Sequence, residues 1–192
     1  MNNLEQHFCV FPQLNTQRLV LRKLEVSDAE EMFEYSSRPE ASQYANWEPH
    51  TSVEYTKEFL RWLKWQYRFH KVKTWGITLK NGGKLIGTVS FVKIDKETTS
   101  AEIGYTVSSA FWGNGYATEA VQKLLEFGFL ELGFQRIFAK VVKENVKSSR
   151  VLERLGFTYE GTLRNSMVIH KKLCDVSYYS ILKSEFMAMY GE

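Results

Sequence analysis

Of the 192 residues, only two are cysteines and only three are prolines. Cys9 and Cys174 lie far apart and lack the paired spacing of a zinc site, so no metal is expected. So little cysteine suits a reducing, cytoplasmic setting. No stretch approaches eighteen consecutive apolar residues, which argues against a membrane-spanning helix. The opening run Met1-Asn2-Asn3-Leu4-Glu5-Gln6-His7 lacks the basic and then apolar pattern of a signal peptide. There is no internal repeat, low-complexity tract or Pro/Gly-rich linker, and residues 1–192 read as one domain. Net charge is also scarce: 25 Lys and Arg against 22 Asp and Glu leave +3. That excess is small for a nucleic-acid-binding face, and no nucleic-acid partner is expected.

Aromatic residues, by contrast, are abundant: thirteen Phe, ten Tyr and five Trp make up 15% of the chain. They suit a core built on rings. The run Arg18–Leu24 alternates as a strand does. Ser27-Asp28-Ala29-Glu30 and Thr51-Ser52-Val53-Glu54 read as capping boxes, each opening a helix. The second helix carries Phe59, Trp62, Leu63 and Gln66 on one face, which places Trp62 in the core.

Trp75–Leu79 and Leu85–Ile94 read as strands joined at Asn81-Gly82-Gly83. A strand over Ser100–Val107 turns Ala101, Ile103, Tyr105 and Val107 to one face and Glu102, Gly104 and Thr106 to the other. A helix from about Asn114 to Leu132 ends at Gly133, and a strand over Arg136–Val142 follows. Asn145 caps a short helix ending at Leu155-Gly156, and strands near Phe157–Arg164 and Asp175–Lys183 finish the pattern. The expected fold is α/β mixed, a central, mostly antiparallel twisted sheet of about seven strands with helices on both faces.

Between the strand ending at Val107 and the next helix lies Ser108-Ser109-Ala110-Phe111-Trp112-Gly113-Asn114-Gly115. Glycines let backbone come close to a ligand, and a helix start offers unpaired N–H groups and the positive end of its dipole. Together they suit a pyrophosphate. The dinucleotide fingerprint fails because Thr118 stands where a third Gly is needed, and no P-loop run exists.

Here the sequence resembles the GCN5-related N-acetyltransferase (GNAT) superfamily, whose pyrophosphate motif reads Arg/Gln-x-x-Gly-x-Gly/Ala. Gly115-Tyr116-Ala117 matches its second half, and Trp112 stands where Arg or Gln is usual. Trp112 with Glu119-Ala120 is similar to the RimJ/RimL-type branch, which includes acetyltransferases of ribosomal-protein N-termini. Glu102-Ile103-Gly104-Tyr105, Asn145-x-x-Ser148 and Gly156-Phe157 extend the match from Arg18 to about Lys183.

The resemblance implies acetyl-CoA as co-substrate and a primary amine as acceptor. That amine is a protein N-terminus or, alternatively, a polyamine, amino sugar or toxic amine; a non-catalytic acyl-CoA sensor is a further alternative. It implies that Tyr105, Thr106 and Val107 offer their backbones to the pantetheine arm and that N–H groups from Trp112, Gly113, Asn114, Gly115, Tyr116, Ala117 and Thr118 surround the pyrophosphate. Asn145 and Ser148 would lie beside the arm.

Many members use a Tyr as acid five residues before the Phe of Gly-Phe, where this chain has Leu152. In the branch, a Ser at the position of Ser148 partners the thiolate, and Ser149 stands next to it. Some members carry a Glu base at the position of Met167; Glu102 is the candidate that remains. His170 reads as a solvated turn residue. Lys143, Lys147 and Arg150 read either as phosphate partners or as a solvated basic face. Tyr44, Trp47, Glu48 and His50 fall in the link that lines the acceptor side in this superfamily, as binding surface or as loop anchors. A monomer or a homodimer is expected.

Overall fold

The computed structural model describes residues 11–69 and 72–191. Cys9 and the opening run Met1–His7 lie outside the described residues. Among the described residues, eight strands form one sheet in the order β1-β2-β3-β4-β5-β6-β8-β7. They are β1 (Leu14–Asn15), β2 (Leu19–Arg22), β3 (Thr74–Leu79), β4 (Leu85–Asp95), β5 (Ser100–Val107), β6 (Arg136–Val142), β7 (Thr158–Ile169) and β8 (Lys172–Leu182). Six α-helices accompany them in the described residues: α1 (Ala29–Ser36), α2 (Pro39–Ser42), α3 (Val53–Arg68), α4 (Tyr116–Glu126), α5 (Val146–Arg154) and α6 (Lys183–Tyr190). Every strand pair is antiparallel except β5 with β6, which α4 connects.

The two faces of the sheet bury different helices. Trp75 and Ile77 of β3 join a cluster with Ala120, Val121, Leu124 and Leu125 of α4 and Leu152 of α5. Gly76, between them, faces the other way, and a Cβ there would meet Leu24 and Leu85. Those two leucines belong to a second cluster with Met32 and Tyr35 of α1 and Leu60, Leu63 and Tyr67 of α3. The period-two alternation of one strand thus separates two helical layers.

The mixed, mostly antiparallel sheet with helices on both faces is the expected fold, and several local details differ. The eighth strand is the two-residue β1, too short to leave a periodic signal. The first cap is Glu25 rather than Ser27: a 3₁₀ turn over Val26–Asp28 precedes α1, and Asp28 Oδ2 accepts from Glu25 N–H at 2.8 Å. At the second box Ser52, not Thr51, is the cap, its side chain accepting from Tyr55 N–H. The buried stripe of α3 is Thr56, Leu60, Leu63 and Tyr67, and Trp62 is 53% exposed. That stripe follows the three-four spacing from Thr56, which rotates Trp62 toward solvent.

The long helix begins at Tyr116, because its cap Gly115 takes φ +76. It changes to a π segment over Phe127–Glu131. The last two strands run further than expected, to a turn at His170-Lys171 where both residues have positive φ. No Gly or Asn marks that turn in the sequence. A bulge at Arg164-Asn165-Ser166 separates the register pairs Leu163↔Val176 and Met167↔Cys174.

Candidate active site

β5 and β6 are joined by only three register pairs, Ser100↔Arg136, Ala101↔Ile137 and Glu102↔Phe138. Beyond them the strands part. β5 stays paired to β4 as far as Val107, and β6 stays paired to β8 as far as Val142. Each half of the sheet closes its own antiparallel ladder, and the parallel seam between them opens toward the C-terminal ends of β5 and β6.

The register decides which backbone groups face that gap. Ser108 N–H donates to Ile86 C=O across β4 at 2.8 Å. Val107 and Gly87 are therefore a non-hydrogen-bonded pair, and the N–H and C=O of Val107 point away from β4. By the same alternation Tyr105 also points into the gap, while the backbone groups of Thr106 face Thr88 on β4. A strand edge of this kind can pair with an extended amide-bearing chain.

At the open end the chain turns sharply into α4. Gly113 and Gly115 have φ +80 and +76, values that L side chains rarely adopt. Gly115 C=O accepts the first helical bond, from Glu119 N–H at 3.0 Å. The N–H groups of Tyr116, Ala117 and Thr118 therefore lack intrahelical acceptors and face outward with the helix dipole behind them. Asn114 closes the loop, its Nδ2 donating to the carbonyls of Phe111 and Trp112. Trp112, 41% exposed, donates Nε1–H to Val107 C=O at 2.7 Å. A carbonyl has two lone pairs, so this bond leaves Val107 one acceptor position. Lys147 Nζ sits 3.8 Å from the Trp112 ring centroid, a cation–π contact at the mouth of the gap.

A buttress that the sequence analysis missed holds this turn from behind. Glu119 accepts from Thr16 Oγ1 at 2.6 Å, from Arg18 N–H at 2.8 Å and from Arg18 Nε at 2.7 Å. Arg18 Nη1 reaches on to Asn114 C=O at 3.0 Å, and its guanidinium lies 4.6 Å from the Tyr116 ring centroid. Burial alone would raise the Glu119 carboxyl, but the bonds from Thr16 and Arg18 outweigh it and hold the group below its usual range.

Ser148 stands in the first turn of α5, above the gap. Asn145 caps that helix, its Oδ1 accepting from Ser148 N–H at 3.3 Å. Ser148 Oγ lies 2.8 Å from the Tyr105 hydroxyl, which is also 3.1 Å from Ser148 C=O. Burial pushes the Tyr105 phenol well up, against a smaller opposing effect of the Ser148 hydrogen bond. Tyr105 and Ser148 are thus brought together. Glu102 is not brought to them: it is on the opposite face of β5, at the closed end of the gap, and pairs with Lys140 Nζ at 2.9 Å. Leu152 is fully buried and Met167 is half-buried. Lys143 lies 3.9 Å from Asp175.

A cavity of about 770 Å³ lies between the α1–α3 link, the C-terminal end of β6 and the β7–β8 hairpin. Glu40, Glu48 and Glu144 line it with Tyr44, Val142, Lys172 and His170. Glu40 accepts from Ser109 Oγ at 3.2 Å, which ties the cavity to the end of β5. His50 is an anchor, its Nδ1 2.8 Å from Thr56 Oγ1 and its ring edge-on to Trp47.

His170 is an exposed turn residue, as expected, but it is also tied down: Nε2 lies 3.0 Å from Ser42 C=O and Nδ1 3.0 Å from Glu48 Oε1. Both partners only accept, so the doubly protonated ring satisfies both bonds. The Ser42 carbonyl, with Glu48 behind it, raises the affinity of His170 for its proton. No group of three or more metal-ligating side chains occurs among the described residues, and none of the described helices is long and apolar enough to cross a membrane.

A mixed sheet split at its one parallel seam, with a glycine-turned helix start at the opening, suits a long, pyrophosphate-bearing acyl carrier. Residues 18–158 match the acetyltransferase (GNAT) domain model, and the chain belongs to that family of acetyl-CoA-dependent N-acetyltransferases. It is 39% identical over 173 residues to the uncharacterized N-acetyltransferase p20 of Bacillus licheniformis, covering 90% of this chain and 97% of that one. It is 29% identical to a putative ribosomal N-acetyltransferase, YdaF, of Bacillus subtilis, covering 88% and 94%. It is 26% identical to a spermidine N(1)-acetyltransferase of Vibrio cholerae, covering 91% and 98%.

Among solved structures, a GNAT-family acetyltransferase from Bacillus anthracis superposes with TM-score 0.81 at 30% identity, covering 91% and 100% of the two chains. The microcin C7 self-immunity acetyltransferase MccE, solved with acetyl-CoA and AMP, superposes with TM-score 0.76 at 26% identity, covering 87% and 93%.

Proposed function

We propose that the acceptor is the α-amine of a peptide N-terminus, acetylated by direct attack on acetyl-CoA in a ternary complex. The observation that carries this is the carboxylate-lined cavity at the open end of the β5–β6 gap, where Glu40, Glu48 and Glu144 outnumber Lys172 and the Glu48-paired His170. Negative potential in a cleft concentrates cations, and an N-terminus arrives largely as one. The gap edge at Tyr105 and Val107 holds the pantetheine arm and the amides of Tyr116, Ala117 and Thr118 the pyrophosphate, with Lys147 alongside. Backbone N–H groups of β5 polarise the thioester carbonyl, and Ser148 protonates the departing thiolate.

The α-amine is favoured over a side-chain amine on proton affinity. Met167 cannot take a proton, and Glu102 is tied to Lys140 and does not line the cavity. Without a dedicated base, the reacting amine must be partly neutral near pH 7, and an α-amine with a pKa of about 8 meets that condition.

A polyamine is the second reading, since the same three carboxylates suit a chain with several positive charges. Thiol release from acetyl-CoA separates the two when peptides with free and blocked N-termini are run beside spermidine and amino sugars. Turnover confined to free N-termini is expected. Turnover of spermidine alone would move the assignment to polyamines, and no turnover of any amine would refute both.

A further inference from the structure

We propose that Tyr105 is a positioning residue for the acid step: its phenolic O–H donates to Ser148 Oγ and leaves the Ser148 proton aimed at the thioester sulfur. This rests on the assignment of Ser148 as the acid. Leu152 occupies the place of the Tyr that many relatives of this family use, and it is fully buried. The structure brings a different phenol to the same helix, from β5 instead of α5. Tyr105 Oη is 2.8 Å from Ser148 Oγ and 3.1 Å from Ser148 C=O.

Distance and occupancy favour the contact to Oγ. Ser148 C=O is the farther of the two, at 3.1 Å against 2.8 Å, and one of its two lone pairs already accepts the helical N–H from four residues on. Ser148 Oγ has no hydrogen-bond partner other than Tyr105 among the described residues. A tyrosine hydroxyl carries one proton. When that proton goes to Ser148 Oγ, the Ser148 hydroxyl is free to donate elsewhere, and the direction left to it is the gap.

Burial keeps the Tyr105 phenol protonated, so Tyr105 is a standing donor and does not itself give up its proton. In the reaction the amine nitrogen forms a bond to the thioester carbon, the C–S bond breaks and its electron pair stays on sulfur. The Ser148 O–H bond breaks and that proton goes to sulfur. The proton lost by the amine nitrogen returns to Ser148 Oγ through solvent, which balances the step. Throughout, the Tyr105 O–H steadies the charge that develops on Oγ.

The test is a double-mutant cycle of Tyr105→Phe and Ser148→Ala, reading kcat, acetyl-CoA Kd and melting temperature. A hydrogen bond to a developing charge predicts that Tyr105→Phe lowers kcat about ten- to one-hundred-fold with Kd unchanged. Added to Ser148→Ala, it is expected to cost nothing further, because its effect passes through Ser148. Equal loss in both backgrounds would overturn the inference. So would an unchanged kcat in Tyr105→Phe while Ser148→Ala is slow, which leaves the Ser148 assignment intact. An unchanged kcat in Ser148→Ala would overturn both. A collapse of the melting temperature in Tyr105→Phe would make the hydroxyl an element of the fold and also overturn it.

Discussion

The most exacting test of how the fold builds the edge proposed for the co-substrate is Gly87→Ala. Gly87 lies on β4 opposite Val107, the last residue of β5. A Cβ there would overlap the Thr106 carbonyl oxygen and stand 2.9 Å from Val107 Cα. Both neighbours are backbone, so no rotamer change relieves the clash, and the end of β5 must move away from β4. Overpacking of this kind costs about 1–3 kcal/mol. The displaced ladder, including the Ser108 N–H to Ile86 C=O bond, loses about 1 kcal/mol per hydrogen bond. Stiffening the unfolded chain returns about 0.4–1 kcal/mol.

A net loss of about 2–3 kcal/mol lowers the melting temperature of a chain this size by roughly 5–10 °C. Because the displaced segment carries the groups of Tyr105 and Val107 that face the gap, acetyl-CoA Kd should rise about tenfold as well. Thermal melts and calorimetric titration with acetyl-CoA read the two effects. Gly76→Ala is the control: its Cβ would meet only side-chain atoms of Leu24 and Leu85, which can shift, and it is remote from the gap. It should lower stability less and leave acetyl-CoA binding alone. If Gly87→Ala melts within about 2 °C of the parent and binds acetyl-CoA equally well, the close approach of β4 to β5 does not shape the site.

Other predictions follow from the buttress, the clamp and the charges. Glu119→Gln should cost about 2 kcal/mol at pH 7, since the carboxylate accepts bonds from Thr16 and Arg18. The depressed Glu119 carboxyl stabilises the fold above the unfolded-state value and loses that effect as pH falls through the lower folded value, so parent and variant melts should converge in acid. His170 has the opposite sign: its clamp on Ser42 and Glu48 is complete below the ordinary histidine range and weakens as pH rises through its raised value. The ratio of parent to His170→Ala acceptor KM, which cancels the titration of the acceptor amine itself, should therefore be low in acid and rise toward one as pH climbs, with acetyl-CoA Kd unchanged in both; matching profiles would refute the clamp. Lys147→Glu should weaken acetyl-CoA binding at least tenfold at low salt and less at high salt. Glu102→Gln should change kcat less than about threefold if no base acts there, and a loss of a hundredfold or more would restore Glu102 as the base.

What could be read ahead of the structure was whatever the chain writes within a few residues of itself. The β5 alternation, the Gly113 and Gly115 turn and the Asn145 cap each rest on neighbours in sequence, and each stands in the structure as expected. The parts that escaped join residues far apart along the chain. Arg18 meets Glu119 across 101 positions, His170 meets Glu48 across 122, and Tyr105 meets Ser148 across 43. No periodicity encodes such pairs, because each is fixed only when the sheet order brings β2 near α4, the hairpin tip near the α1–α3 link, and β5 under α5.

The contacts of His170, an exposed turn residue as expected, show the physics. In a type-blind pattern, His170-Lys171 between two strands is an exposed turn, and the φ values of +46 and +65 make it a strained one. Strain at a non-glycine turn persists only when something outside the turn holds it, and here that is the link lining the cavity. A polar residue at a turn with positive φ and no glycine is therefore a sign of long-range docking, and in this chain the docked turn closes one side of the cavity proposed for the acceptor.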